Sequence, residues 1–269
     1  MDIKEKARFL TIRSKERILN YLEGIHKTFV FGEEDDLKNI REYTYGDDIR
    51  KINWIITARE RKPYVVEREE LKSQNIRIAI FLDQEFLFKD KLEKLIEVYS
   101  LLSYATLLKK DKLEIFILTD RLEKHIKVKS IFQIEEISEY IVSINIKTKK
   151  FTDKVLESLF YGKRSFTILI GDFIYKLNLL PVSYRHKLAV IILRDPDEED
   201  PVKYVSYQLK SFDEKRKIPF LRKDMAVFYK KNLKSMDKDL KEFLINRRIP
   251  FTKIYTYEDP LIKLKKLFS

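Results

Sequence analysis

The second part of the chain contains four short, mostly hydrophobic runs, each ending in an acid. The runs are IRIAIFLD, LEIFILTD, SFTILIGD and KLAVIILRD, at residues 76–83, 113–120, 165–172 and 187–195. Runs of this length are typical of strands that are buried on both faces of a parallel sheet. Helical spacing of apolar residues lies between and around them, at 90–110, 131–142 and 152–161. Strands that alternate with helices predict an α/β fold with a doubly wound, mostly parallel sheet.

The two ends of the chain predict further elements. Residues 3–23 have apolar positions at helical spacing, which predict one or two amphipathic helices that end at Gly24. Residues 225–247 predict a long helix, and the segment TKIYTY at 252–257 predicts a last strand.

On this pattern the chain divides into two units. Residues 1–74 form an N-terminal unit of helices and irregular β-structure, and residues 75–269 form the α/β domain. The alternating pattern of residues 202–222 predicts a short hairpin inserted into that domain.

The amino-acid composition indicates the cellular compartment in which the protein is expected. The chain has no cysteine, which excludes disulfides and thiolate zinc sites and suits a reducing compartment. Its first residues lack the apolar core of a secretory signal, and the apolar-rich stretch at 95–108 is shorter than the roughly 20 residues of a membrane span. We therefore expect a cytoplasmic protein with no membrane span.

The net charge of +12 raises the question of nucleic-acid binding. Lysines alternate with acids through most of the chain, however, and no RNA-binding motif of aromatic residues and arginine is present. We interpret the positive surface as a solvated one and expect no nucleic-acid partner. Motifs for a nucleotide cradle, a hydrolase elbow or a zinc protease are also absent from the sequence.

The acids that end the four runs form the first candidate site. They are Asp83, Asp120, Asp172 and Asp195. The carboxyl ends of parallel strands lie at one edge of a sheet, where ligands of such sheets bind. Carboxylate oxygens in that place suit Mg²⁺. The alternative is that each acid caps the helix or turn that follows it. For the acidic run DPDEEDP at 195–201 we weigh a Ca²⁺ site and favour a solvated loop, because no EF-hand pattern is present.

A second candidate is the segment from Glu42 to Glu70, which holds the single tryptophan of the chain. It matches a hallmark that reads approximately R-E-Y-x-x-G-D-D-x-R-x-I-D-W-x-x-[TS]-A-R. The matched residues are Arg41, Glu42, Tyr43, Gly46, Asp47, Asp48, Arg50, Ile52, Trp54, Thr57, Ala58 and Arg59. Asn53 stands where the hallmark has Asp. On these residues the chain resembles the bacterial domain-of-unknown-function family numbered fifty-eight.

The resemblance implies that a von Willebrand factor A-like, or Rossmann-like, domain follows the signature segment. Such domains often carry a metal-ion-dependent adhesion site with the pattern D-x-S-x-S, a later threonine and a final acid. This chain keeps the first Asp and has Glu and Leu at the two serine positions, so the resemblance implies a degenerate Mg²⁺ site. Its residues are Asp83, Glu85, Thr152 and Asp172, and Leu87 cannot bind a metal. The alternative is that the acids only hold loops through backbone N–H groups.

For the signature segment we favour a structural role. Trp54 is then packed in the core, and Asp47 and Asp48 accept hydrogen bonds from turn amides. The two arginines, Arg50 and Arg59, pair with nearby acids such as Glu67 or Glu69. The alternative is that the same segment forms a docking surface.

Together these features predict a non-enzymatic interaction protein. The resemblance implies that its partner is a MoxR-type AAA+ ATPase, with which it acts as an adaptor in the assembly or maturation of other proteins. One alternative is a metal-dependent phosphoesterase or nuclease that uses the strand-end acids. The other is a nucleic-acid-binding module that uses the excess lysine and arginine.

Overall fold

The computed structural model describes residues 2–24, 37–49, 52–68, 73–201 and 223–268. The first part contains helix α1 (Ile3–Gly24), then the antiparallel strands β1 (Leu37–Glu42) and β2 (Tyr64–Arg68) with helix α2 (Trp54–Glu60) between them. The other strands are β3 (Asn75–Phe81), β4 (Lys112–Leu118), β5 (Leu122–Val128), β6 (Phe166–Gly171), β7 (Lys187–Arg194) and β8 (Phe251–Tyr255). The other helices are α3 (Lys91–Leu108), α4 (Phe132–Ser143), α5 (Leu180–Arg185), α6 (Pro196–Glu199), α7 (Lys223–Asn246) and α8 (Pro260–Phe268).

Strands β3 to β8 form one six-stranded sheet in the order β5-β4-β3-β6-β7-β8. All neighbours are parallel except β4 and β5, which are antiparallel. The four mostly hydrophobic runs are the four central strands, and the sheet side chains point alternately to two buried layers. Ile78 and Ile80 face one layer, whereas Ala79 and Phe81 face the other. The predicted α/β, doubly wound and mostly parallel class is confirmed.

Each layer is covered by helices. One layer contains apolar residues of α1, α3, α4 and α8, and the other contains residues of α5, α7 and a 3-10 turn at Asp153–Leu159. Helix α1 therefore packs with the α/β domain, where Ala7 and Ile18 join the core and the Thr11 hydroxyl donates to Ser138 at 2.8 Å. None of the described helices combines the length and the apolar character that crossing a membrane requires.

Several elements differ from the sequence pattern for physical reasons. Strand β5 was not predicted, because its sequence LEKHIKV lies exposed at the sheet edge and lacks an apolar run. The segment predicted as a helix at 152–161 forms a 3-10 turn, and the N-terminal pattern forms a single helix. The hairpin expected near 202–222 lies outside the described residues.

Candidate functional site

The four strand-end acids follow β4, β3, β6 and β7, which are neighbours in the sheet, so they do lie along one edge. We call this the carboxyl-end edge. Asp83, Asp172 and Asp195 are buried there, whereas Asp120 is exposed. Two cations that the sequence pattern had not singled out, and one acid of the run at 195–201, complete the group. They are Lys91, Arg194 and Glu198, and all three are buried.

Asp83 begins the 3-10 turn Gln84–Leu87, and its Oδ1 accepts a hydrogen bond from the backbone N–H of Glu85 at 3.1 Å. Burial, and then the nearby Asp172, raise the pKa of Asp83 from 3.8 to about 7, against the opposing effect of Lys91. The buried hydroxyl of Tyr175 belongs to the same surroundings, since burial and then Asp83 and Asp172 raise its pKa well above the usual value.

Lys91 is the first residue of α3, and its side chain is completely buried. Its Nζ donates to Oδ2 of Asp172 and, at 2.8 Å, to Oε1 of Glu198. The same Nζ lies 5.5 Å from the ring centroid of Phe86. Burial by itself lowers the pKa of Lys91, but Asp172 and Glu198 outweigh burial and raise it above the usual value. Lys91 is therefore a charged ammonium group enclosed by carboxylates.

Arg194, at the end of β7, contacts Asp172 from another direction. Its Nη2 lies 2.9 Å from Oδ1 of Asp172, and it donates hydrogen bonds to the Asp172 carbonyl oxygen at 2.9 Å and to Asp237 at 3.2 Å. Burial opposes the charge of Arg194, but Asp172 and Asp237 raise its pKa. Asp172 thus has one buried cation at each carboxylate oxygen.

The acidic run at 195–201 is not a solvated loop, so that prediction is wrong. Asp195 caps helix α6 by accepting from the N–H of Asp197 at 2.9 Å, and Glu198 accepts from the N–H of Asp195 at 2.9 Å. This reciprocal pair is a capping box. Glu198 turns inward to Lys91 and is buried. Burial raises the pKa of Glu198 from 4.5 to about 7, and Lys91 opposes this rise.

Carboxylate oxygens of Glu85, Asp172 and Glu198 lie within 4.8 Å of one another. Glu85 is half-buried, and burial and then Asp172 raise its pKa. Thr152 is exposed ahead of the 3-10 turn Asp153–Leu159, and no hydrogen bond joins its side chain to these acids among the described residues. The structure therefore brings Asp83, Glu85 and Asp172 together.

A different threonine, Thr148, connects the strand ends. Its carbonyl oxygen accepts from the N–H of Gln84 at 2.8 Å, and its hydroxyl accepts from the N–H of Asp120 at 3.0 Å. Thr148 is buried, so it fixes the loop after β3 against the loop after β4.

In the signature segment the main ion pair joins Arg41 and Asp47. The guanidinium donates to both carboxylate oxygens of Asp47 at 2.7 Å, and Asp47 also accepts from the N–H of Thr44 at 2.8 Å. Arg41 and these hydrogen bonds lower the pKa of Asp47 far below its usual range. Gly46 has a φ of +107°, which glycine adopts at no steric cost.

Two further contacts hold β1 and β2 together. Glu42 accepts from Nζ of Lys62 at 3.0 Å, and the N–H of Tyr43 donates to the carbonyl of Pro63 at 2.7 Å. Asn53 caps α2 by accepting from the N–H groups of the two residues that follow Trp54, at 3.1 and 3.2 Å.

The prediction that Trp54 packs in the core is wrong. Trp54 is 66% exposed, since α2 has only seven residues and none of them is buried. Asp48 and Arg59 are also exposed. Arg50 and Glu69 lie outside the described residues, so their predicted pairing stays a prediction.

A model of the family described as "Protein of unknown function DUF58" matches residues 39–230, which include the signature segment and most of the α/β domain. This chain belongs to the DUF58 family. A solved structure similar to this DUF58 chain is described as the conserved hypothetical protein BatB from Bacteroides thetaiotaomicron. The identity is 14% and the TM-score 0.35, over 65% of this chain and 99% of that chain. No curated protein matches the sequence.

The metal ion expected at this edge of the DUF58 chain does not fit the side chains that are present. Mg²⁺ needs about six oxygen ligands at roughly 2.0–2.1 Å. Here the ammonium group of Lys91 contacts Asp172 and Glu198, two of the three carboxylates that lie within 4.8 Å of one another. A divalent ion would have to displace a buried cation of the protein itself.

Proposed function

We propose that this DUF58 chain is a non-enzymatic adaptor that binds a protein partner at the carboxyl-end edge of its sheet. The observation that supports this most is that Asp172, the central acid of the edge, already contacts two buried cations, Lys91 and Arg194. A carboxylate in that state is a structural anchor. It ties β6 to α3 and β7 and so gives the loops around it one fixed arrangement.

A cavity of about 860 Å³ beside these loops is a suitable docking surface. Residues of 119–123 and 140–150 line it, including Thr148, which connects the strand ends. We call it the basic cavity, because its lining has four cations and two acids. The cations are Arg121, Lys147, Lys149 and Lys150, and the acids are Asp120 and Glu123. Charge complementarity favours a partner protein with an acidic surface.

The resemblance stated for the signature segment makes a MoxR-type AAA+ ATPase the partner that we propose. The adaptor would then present a client, or a further subunit, to the ATPase during assembly or maturation. The exposed signature segment, with Trp54 at its surface, is available as a second contact. The turn at its start, around Gly46, is closed by the ion pair of Arg41 and Asp47.

The alternative of a metal-dependent phosphoesterase or nuclease has less support from the same geometry. Such an enzyme needs carboxylates that hold a metal or activate a water. Asp172 and Glu198 instead bind Lys91, and all three side chains are buried.

The experiment that tests the proposal is binding of the purified chain to the MoxR-type ATPase of the same organism, with and without ATP. The test variant reverses three charges of the basic cavity, Lys147→Glu, Lys149→Glu and Lys150→Glu. We expect it to lose at least about tenfold in affinity, since steering and complementarity are both reversed.

A matched control reverses three exposed lysines at the opposite edge of the sheet. They are Lys112, Lys129 and Lys163, which line a second cavity of about 700 Å³. This variant has the same net charge as the test variant and is expected to bind like the wild type. Equal losses in both variants would contradict docking at the carboxyl-end edge. Salt-sensitive binding to DNA or RNA without binding to the ATPase would contradict the adaptor function itself.

A further inference from the structure

We infer that the ammonium group of Lys91 permanently takes the place of the divalent ion at the carboxyl-end edge, so that this edge works without a metal. Only the consequence for partner binding rests on the proposed function; the position of Lys91 does not. The basis of the inference is the position of Lys91 among the carboxylates and the burial of every group involved.

The contacts of Lys91 are those of a bound cation. Its Nζ lies within hydrogen-bond distance of Asp172 and Glu198, which come from the end of β6 and from α6. The oxygens of Glu85 belong to the same cluster. The side chains of Lys91 and Asp172 are 0% and 1% exposed, and that of Glu198 is 6% exposed. A cation stabilises this group, because three carboxylates this close together in a protein interior repel one another strongly.

The place of Lys91 in its helix supports the same conclusion. It is the first residue of α3, where the positive end of the helix dipole disfavours a cation. Its alkyl chain is fully buried, so a move away from the acids would have to displace packed neighbours. Only the acids of the edge account for a buried lysine at this position. Arg194 places a second buried cation 2.9 Å from the other carboxylate oxygen of Asp172, although that oxygen accepts no hydrogen bond among the described residues.

A consequence for recognition follows. A metal ion with an open coordination position can accept a carboxylate from a partner, whereas a lysine with no exposed surface cannot be reached by one. Docking at this edge is therefore insensitive to divalent ions and to chelators. The exposed cations of the basic cavity, and not a bridging metal, are the groups that meet acidic side chains of the partner.

The test is a titration of the full-length chain with Mn²⁺, followed by electron paramagnetic resonance and by the melting temperature, with Mg²⁺ as a second ion. We expect no saturable site in the wild type. In Lys91→Met the ammonium is replaced by an uncharged chain of similar length. We expect this variant to bind Mn²⁺ at a saturable site, at least about tenfold more tightly than any binding by the wild type. Bound Mn²⁺ should also raise its melting temperature. Adding Asp172→Asn to Lys91→Met should abolish the new site.

Lys94→Met is the matched control. Lys94 is on the same helix but contacts Glu97 at 3.0 Å and the carbonyl of Glu258 at 2.9 Å, outside the acidic cluster. This variant should gain no site. A saturable Mn²⁺ site in the wild type that Asp172→Asn removes would overturn the inference, as would a folded Lys91→Met that binds no Mn²⁺. If Lys91→Met folds only when Mn²⁺ is present, the inference is supported, and if it never folds, the wild-type titration decides. No partner takes part in the titration, so its result is independent of whether the ATPase binds.

Discussion

The Nζ of Lys91 lies 2.8 Å from Oε1 of Glu198, and both side chains are buried although 107 positions separate them in the chain. The contact joins the first turn of α3 to α6, a short helix built by the acidic run after β7. Through Asp172, which Lys91 also contacts, β6 joins the same group. The carboxyl-end edge is thus held together by ion pairs of the protein.

Loss of the Lys91 side-chain charge should destabilise the fold strongly. We expect Lys91→Met to lower the free energy of unfolding by about 3–5 kcal/mol, because Asp172 and Glu198 then remain buried without that cation. Urea denaturation in a metal-free buffer measures this loss. Lys94→Met, whose ion pair with Glu97 is nearer the surface, should cost no more than about 1 kcal/mol. Equal losses in the two variants would show that the buried network has no special role.

The raised pKa of Asp83 predicts a pH-dependent stability. Its pKa is 3.8 in ordinary surroundings and about 7 in the folded chain, so the folded state binds a proton that the unfolded state has released. The contribution of Asp83 to stability is therefore largest at acidic pH. It is lost as pH rises through the folded pKa of about 7. Burial is the largest influence on this pKa, and the neighbouring groups that also act on it are Asp172, Lys91, Glu85 and Tyr175.

The measurement is the free energy of unfolding of Asp83→Asn and of the wild type between about pH 5 and about pH 8. Asn resembles the protonated acid in charge, so the variant should gain in stability relative to the wild type as pH rises, by on the order of 1 kcal/mol. A difference that stays constant over this range, or that changes in the opposite direction, would show that Asp83 does not take up a proton on folding.

The exposed Trp54 gives a direct optical test of the signature segment. It is the only tryptophan of the chain, so all indole fluorescence reports on α2. Because its side chain is 66% exposed, we expect emission like that of indole in water and efficient quenching by acrylamide in the folded chain. Blue-shifted emission that is protected from the quencher would mean that Trp54 is packed in a core. Binding of the ATPase over this segment would reduce the quenching.

The fold could be predicted largely from the sequence, because it depends on local patterns. The mostly apolar run at 76–83 corresponds to β3 at Asn75–Phe81, and the other three runs agree equally well with their strands. Strand β5 escaped prediction, since an exposed antiparallel edge strand needs no apolar run. The exposure of Trp54 could not be predicted either. Tryptophan is usually buried, but α2 has only seven residues and none of them is buried.

The candidate site could be predicted from the sequence only in part. That Asp83 and Asp172 meet follows from parallel strands ending at one edge. The partners of Asp172 do not follow from any local pattern, because Lys91 and Arg194 are 81 and 22 positions away and look in the sequence like ordinary surface cations. One signal was available: a lysine at the start of a strong helix opposes the helix dipole.

The central claim, that a lysine of the chain replaces a metal ion, is tested most directly by a crystal structure grown with Mn²⁺ and measured with X-rays at the manganese absorption edge. The account predicts no anomalous peak among the carboxylates of Glu85, Asp172 and Glu198, and electron density for the Lys91 side chain between Asp172 and Glu198. An anomalous peak among these three carboxylates, with Lys91 turned away from them, would contradict it.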